Sequence, residues 1–488
     1  MTITRRSFVL STAALALAST PPPRPYGVCP SPQQLAWSEL EFYNFLHFTV
    51  NTFTDKEWGY GDENPSIFNP TAFDPDRIIE TLKNAGSRGV ILTCKHHDGF
   101  CLWPTKTTEH SVKHSPYKNG KGDIVRELSD AAHRHGLKFG VYLSPWDRNQ
   151  SSYGSPQYIE IYRRQMRELL TNYGPIFEIW HDGANGGDGF YGGARQKRII
   201  DKLHYYNWPV TWNLERELQP NAAIFSDVGP DVRWVGNENG FAGETCWATY
   251  TPHSPNGGPG SPGDVIATES VSGTRDGKYW MPAECDVSIR PGWFFHSAEN
   301  GRVKTPADLF NLYLKSVGRG GSFLLNIPPD RRGLIYETDA ASISSFGKIV
   351  RDTFAKNLAA SAEVKASNTR GNQPSYAASH LLDGRRETYW SPDDSATTPQ
   401  VTFDFQQPVA FNLVRLREHL PLGQRISAFS VDTWQNGTWS PFAQGTSIGI
   451  CRILKSSNVT RTNRVRLRIT KSPVCPALSE FGLYLSNT

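Results

Sequence analysis

Cysteine and methionine are scarce in this chain of 488 residues, at 7 and 3, and the formal net charge is only +4. The basic residues are scattered and no binding motif accompanies them, so a nucleic-acid partner is excluded. No apolar run beyond the N-terminus approaches the ~20 residues that cross a bilayer, which excludes a membrane partner for the mature chain. Seven cysteines (Cys29, Cys94, Cys101, Cys246, Cys285, Cys451, Cys475) are an odd, sparse set without metal-ligand spacing, so at least one is free or intermolecular. Cys451 and Cys475 flank a strand-like run and could pair; the rest read as small buried residues. What the chain does have is aromatics: 14 Trp, 19 Tyr and 25 Phe. With 38% hydrophobic residues these exclude a disordered or fibrous class and suit a protein that handles sugars or other ring-bearing ligands.

Residues 1–20 read as an export signal. Arg5 and Arg6 precede Phe8, a twin-arginine-like pattern, the small apolar run Ser11 to Leu17 follows, and Ala16-Leu-Ala18 offers a cleavage site. The expected destination is the periplasm or the medium of a bacterium, with residues 21–36 as a stiff Pro-rich leader.

From residue 37 to 356 short apolar strands alternate with helical stretches, the pattern of βα units on a parallel sheet. Eight strand candidates (Phe42–Thr49, Gly89–Cys94, Lys138–Leu143, Ile176–Trp180, Ala222–Ser226, Val232–Val235, Tyr279–Cys285, Ser322–Ile327) match the size of a (β/α)8 barrel. Helices are expected over 76–84, 124–135, 157–172, 196–206 and 306–317. Two strands crowd between Ala222 and Glu238, so one or two helices should be missing. Residues 357–488 lose the helical period and show short β runs with turns between them, which reads as a β-sandwich.

Polar and aromatic residues recur at the carboxyl ends of the strands, as a barrel active site requires: His47, Lys95-His96-His97-Asp98, Tyr142, Trp146, Asp182, Asp227 and Glu238. Pro175-Ile-Phe-Glu-Ile-Trp-His-Asp-Gly183 is apolar on both faces and ends in Asp182, a candidate nucleophile or, equally, a turn Asp. Glu238, in Gly236-Asn-Glu-Asn-Gly240, would complete the carboxylate pair of a glycosidase, one ionised and one protonated. Glu57, Glu178, Glu244 and Glu284 are rivals that spacing alone does not remove. His96 and His97 suggest a metal, but no third or fourth ligand stands at recognisable spacing, so no metal or other cofactor is expected; neutral imidazoles fit hydrogen bonding to a hydroxylated ligand better.

The motifs His47-Phe-Thr-Val-Asn-Thr-Phe-Thr-Asp-Lys-Glu57-Trp58, Lys95-His-His-Asp-Gly-Phe-Cys-Leu-Trp103, Gly140-Val-Tyr-Leu-Ser144, Trp180-His-Asp-Gly183 and Gly236-Asn-Glu-Asn-Gly240 together resemble the α-L-fucosidases of glycoside hydrolase family 29, across most of residues 37–355. The resemblance implies a retaining exo-enzyme acting on fucosylated oligosaccharides or glycoconjugates, with Asp182 as nucleophile and Glu238 as acid/base. It implies a fucose pocket of His47, Glu57, Trp58, His96, His97 and Tyr142, with Trp103 and Trp293 as aromatic walls. The Gly-Asn-Glu loop resembles the subgroup acting on α-1,3- and α-1,4-linked fucose. His181 departs from the usual Trp-Phe-Asp and should face away from the pocket. Residues 377–390 resemble a discoidin-like, galactose-binding-type module, for which packing against the barrel is the default. Other linkage preferences, a non-catalytic fucoglycan-binding protein and a metal-dependent hydrolase remain as alternatives.

Overall fold

A computed structural model describes residues 20–488; the expected signal lies outside the described residues except for Thr20. Eight strands close into an all-parallel barrel: β1 (Phe42–Leu46), β2 (Gly89–Lys95), β3 (Lys138–Leu143), β4 (Ile176–Trp180), β5 (Ala223–Ser226), β6 (Val232–Trp234), β7 (Ala283–Ser288) and β8 (Ser322–Asn326). Neighbours in sequence are neighbours in the wall, and β8 pairs with β1 to close it. The strands are buried on both faces because helices cover the outside, which is why they read as unbroken apolar runs.

Helix α1 (Pro32–Ser38) packs below the barrel, with α2 (Pro75–Asn84), α3 (Ile124–His135), α4 (Pro156–Asn172), α5 (Trp208–Leu218), α6 (Pro306–Lys315) and α7 (Glu337–Phe354) following in chain order. Asp74 and Asp123 cap α2 and α3 by accepting the N–H groups of Arg77 and Arg126, and Thr305 with Asp308 forms a capping box on α6. No helix separates β5 from β6, and only the short helix Ala267–Ser272 lies between β6 and β7. The barrel is thus incomplete in helices, as the crowded strands imply.

Three expectations fail. Residues 196–206 form no helix: Gln196–Arg198 pairs with Gly187–Gly189 as a small ribbon, and the helix starts later, at Trp208-Pro209, where proline at the second position favours a start. The seventh strand is Ala283–Ser288, while Tyr279–Trp280 pairs with Thr249–Tyr250 outside the barrel. Cys451 and Cys475 do not pair: all seven cysteines are free, and Cys475 Sγ instead lies beside Arg425 and Asp394.

The leader is also less free than its composition implies. The Tyr26 N–H donates to Leu422 O, Arg370 Nε donates to Pro21 O, and in α1 the Gln34 amide donates to Asp231 O and Trp280 O. These contacts dock residues 20–38 on both domains.

The second domain is an antiparallel sheet of β9 (Glu363–Ala366), β10 (Gln400–Glu418), β11 (Ala428–Gln435), β12 (Thr438–Gly445), β13 (Arg452–Lys471) and β14 (Leu478–Tyr484). Register shifts bend β10 and β13, letting single long strands serve both layers of a sandwich around its own core of Trp390, Phe403, Phe411 and Phe481. Polar contacts join it to the barrel: Arg417 and Arg386 to Glu41, Arg452 to Glu244, and the Gln424 side chain to the backbone of Ala248 and Cys246.

Candidate active site

A cavity of about 350 Å³ opens at the carboxyl ends of the barrel strands, a volume suited to a small sugar ligand. His47, Trp58, His96, His97, Asp182, Glu238 and Trp293 line it, together with Phe45, Trp180, Trp234, Asp227 and Asp286.

Asp182 follows β4 directly. Strand alternation sends Glu178 and Trp180 into the barrel and His181 outward, where His181 meets Tyr162 and Glu215. The Asp182 carboxylate accepts the Tyr142 O–H at 2.8 Å and the Ala184 N–H at 2.7 Å. Burial pushes its carboxyl above the ordinary aspartate value while these two donors pull it back. Its side chain stays about one-fifth open to the cavity (22%), as a group that must reach a ligand needs.

The histidines come from strand ends. A register shift between Thr93 and Lys95 ends β2 irregularly, so Lys95 turns outward to Asp147, Tyr158 and Gln165 while His96 and His97 both reach the cavity, their ring centroids 4.1 Å apart. His47 Nδ1 lies 2.9 Å from Asn326 Oδ1, and His97 Nδ1 lies 2.7 Å from Ser144 Oγ. Burial lowers all three imidazoles, His47 and His97 to about 3 and His96 well below its usual value, so they are neutral at physiological pH. Among the described residues, His96 Nδ1 is buried without a hydrogen-bond partner. His96, His97 and Asp182 offer ligand atoms within 4.8 Å of one another, so Asp182 supplies the third potential metal ligand that sequence spacing does not show.

Glu238 stands on the loop after β6 at the cavity rim. Its Oε2 accepts the Trp293 indole N–H at 3.1 Å. Partial burial raises its carboxyl, the indole N–H lowers it, and the charges of Asp182 and Glu57 raise it further. Trp58 closes another wall edge-on to His97, and the Trp293 ring lies 5.0 Å from that of His47.

The other candidates fall elsewhere. Trp103 is buried away from the cavity, with its indole N–H donating to Glu168 of α4 at 2.8 Å. Glu57 is not in the lining; its carboxylate takes the backbone N–H groups of Trp293 and Phe294. Among the rival acids, Glu244 pairs with Arg319 and Arg452 at the domain boundary. Glu178 and Glu284 lie in the barrel interior against Trp37, Tyr43 and Trp180, where burial pushes both carboxyls up.

Two further acids line the cavity: Asp227, which the sequence already places at a strand end, and Asp286, which it does not single out. Asp227 accepts the Gly263 N–H at 2.6 Å, and burial pushes its carboxyl up to about 7. Asp286 accepts the Trp234 indole N–H at 3.0 Å, and burial raises it well above its usual value. Asp286 shares the inward face of β7 with Glu284 and Ser288, a position that a strand ending at Cys285 does not reach.

The α-L-fucosidase family profile matches residues 26–353, and the F5/8 type C domain profile matches 363–479. The chain is 42% identical over 484 residues to α-L-fucosidase 1 of Arabidopsis thaliana, covering 98% of this chain and 92% of that one. Among solved structures, a glycoside hydrolase 29 family member from an unknown rumen bacterium superposes with a TM-score of 0.84 at 40% identity, covering 95% of this chain and 78% of that one. A Ruminococcus gnavus GH29 fucosidase in complex with fucose gives a TM-score of 0.83 at 31% identity, covering 96% and 97%. The chain is therefore a member of the α-L-fucosidase family, glycoside hydrolase family 29, a fucose-hydrolysing barrel followed by an F5/8 type C domain.

Proposed function

We propose that this fucosidase works with retention by double displacement, Asp182 acting as nucleophile and Glu238 as acid/base, on fucose α-1,3- or α-1,4-linked in branched glycans. The observation that carries the reading is one cavity holding Asp182, with two donors on its carboxylate, together with Glu238, whose carboxyl is pushed up. The donors favour the ionised form of Asp182 against the burial that pushes its carboxyl up, and that carboxylate attacks C1 of the fucosyl unit while Glu238 gives its proton to the departing glycosidic oxygen. In the second step Glu238 takes a proton from water as that water attacks C1, freeing Asp182 and releasing fucose. Neutral His47, His96 and His97 line the cavity and donate to or accept from sugar hydroxyls without adding charge.

The linkage reading draws on the Pro/Gly-rich loop 251–263, whose last residue, Gly263, donates to Asp227 at the cavity wall. A branch sugar held there would supply remote binding energy to the reaction. An exported location belongs to the same proposal and rests on residues 1–20; cell fractionation that leaves the enzyme in the cytoplasm removes it.

Incubation with a panel of fucosylated oligosaccharides tests the activity, with free fucose as the readout. Asp182→Ala is expected to abolish release, and near wild-type turnover in that variant removes the nucleophile assignment.

A further inference from the structure

Residues 289–299 follow β7 and carry Trp293 over the cavity, and the side chain that fastens this loop has no assigned role. His296 Nδ1 lies 2.8 Å from Asp55 Oδ1, and its Nε2 lies 2.6 Å from Glu57 Oε1. Glu57 in turn accepts the backbone N–H groups of Trp293 at 2.8 Å and Phe294 at 3.1 Å. The chain of contacts ends where the Trp293 indole N–H meets Glu238 at 3.1 Å. A ring whose two nitrogens both face carboxylate oxygens donates from both only as the imidazolium.

We propose that His296 is a positioning residue for proton donation: bridging Asp55 and Glu57, it fastens the loop that aims the Trp293 N–H at Glu238. The bridge joins two walls of the cavity that are distant in sequence, since the Asp55–Glu57 segment runs directly into Trp58. Asn326 holds the same loop from the barrel side by donating to Trp293 O at 2.7 Å, so the latch sets the aim of Trp293 without carrying the whole loop. The inference rests on Glu238 being the acid.

Partial burial disfavours a charge on His296, and Asp55 and Glu57 outweigh it, so the imidazolium persists above the ordinary histidine range. The other charged groups beside the loop are Arg290, which donates to His296 O, and Glu299, which accepts the Gly292 N–H. With the folded value raised, the latch is complete below the ordinary histidine range and opens as pH rises through the raised one. Removing the Asp55 charge should make it open at lower pH.

The test compares kcat/KM on a fucosylated glycan, a poor leaving group, with an activated aryl fucoside, which needs little protonation. His296→Gln is expected to lose about 10- to 100-fold on the glycan, the range for a displaced catalytic group, and less than about threefold on the aryl fucoside. Glu238→Ala, run in parallel, should skew the two substrates the same way and further. If Glu238→Ala skews them while His296→Gln keeps the wild-type ratio, or loses equally on both, the latch is overturned and the acid assignment stands. If Glu238→Ala itself shows no skew, the acid assignment falls and the latch with it. Should His296→Gln fail to fold, Asp55→Asn carries the test at a half-exposed site. Its alkaline limb on the glycan should move to lower pH, and an unmoved limb overturns the proposal.

Discussion

Tyr142→Phe removes one hydroxyl from a fully buried ring and, with it, one of the two donors on the Asp182 carboxylate. The phenylalanine leaves no buried polar group orphaned, because Asp182 keeps the Ala184 N–H and faces the open cavity. A hydrogen bond to a charged group is worth about 1.5–3 kcal/mol, and 1.36 kcal/mol is tenfold in an ionisation equilibrium. Asp182 is about one-fifth exposed, so water replaces part of the lost bond and the low end of that range applies. The nucleophile works ionised, the Tyr142 O–H favours that form, and its loss raises the Asp182 carboxyl further. The acid limb of kcat/KM should therefore move up by about one pH unit. At a pH on that limb the rate falls about tenfold, while on the neutral plateau it changes less than about threefold. Kinetics across pH on one fucosyl substrate, with melting curves to confirm folding, measure this. An unmoved limb, or one displaced to lower pH, refutes the electrostatic role given to Tyr142.

Lewis-type trisaccharides should be cleaved with higher kcat/KM than α-1,2-fucosyl lactose or a simple aryl fucoside; equal or better rates on the latter two remove the linkage proposal and leave the fucosidase intact. Trp103→Phe should lower stability by about 1–3 kcal/mol through the lost bond to Glu168 and the lost volume, with KM unchanged. A raised KM would place Trp103 in sugar binding after all. Dialysis against a chelator should leave activity unchanged, and a loss restored by added metal would make His96, His97 and Asp182 a working ligand set.

The barrel was legible because its strands are buried on both faces and end in polar residues, so periodicity and position gave the same answer for Lys138–Leu143 and Ile176–Trp180. Strand alternation likewise foretold that His181 would turn outward from Asp182. The excursion after β4 was not legible, because the mixed polar run 196–206 has helical composition while its placement is set by contacts such as Arg198 donating to Ser151 O and Tyr153 O. Trp103 and Glu57 show another limit. Both sit in motifs beside the site, yet which way a side chain points depends on partners far along the chain, Glu168 for one and the backbone of Trp293 for the other. Asp286 hid for the opposite reason: it carries no motif, and only the correct end of β7 turns it inward.

In the proposed mechanism Asp182 attacks C1 and a second displacement restores the configuration. Proton NMR of the sugar first released, recorded before mutarotation, tests it directly. Double displacement gives α-L-fucose as the first product; β-L-fucose appearing first would mean a single displacement by water and would contradict the nucleophilic role of Asp182.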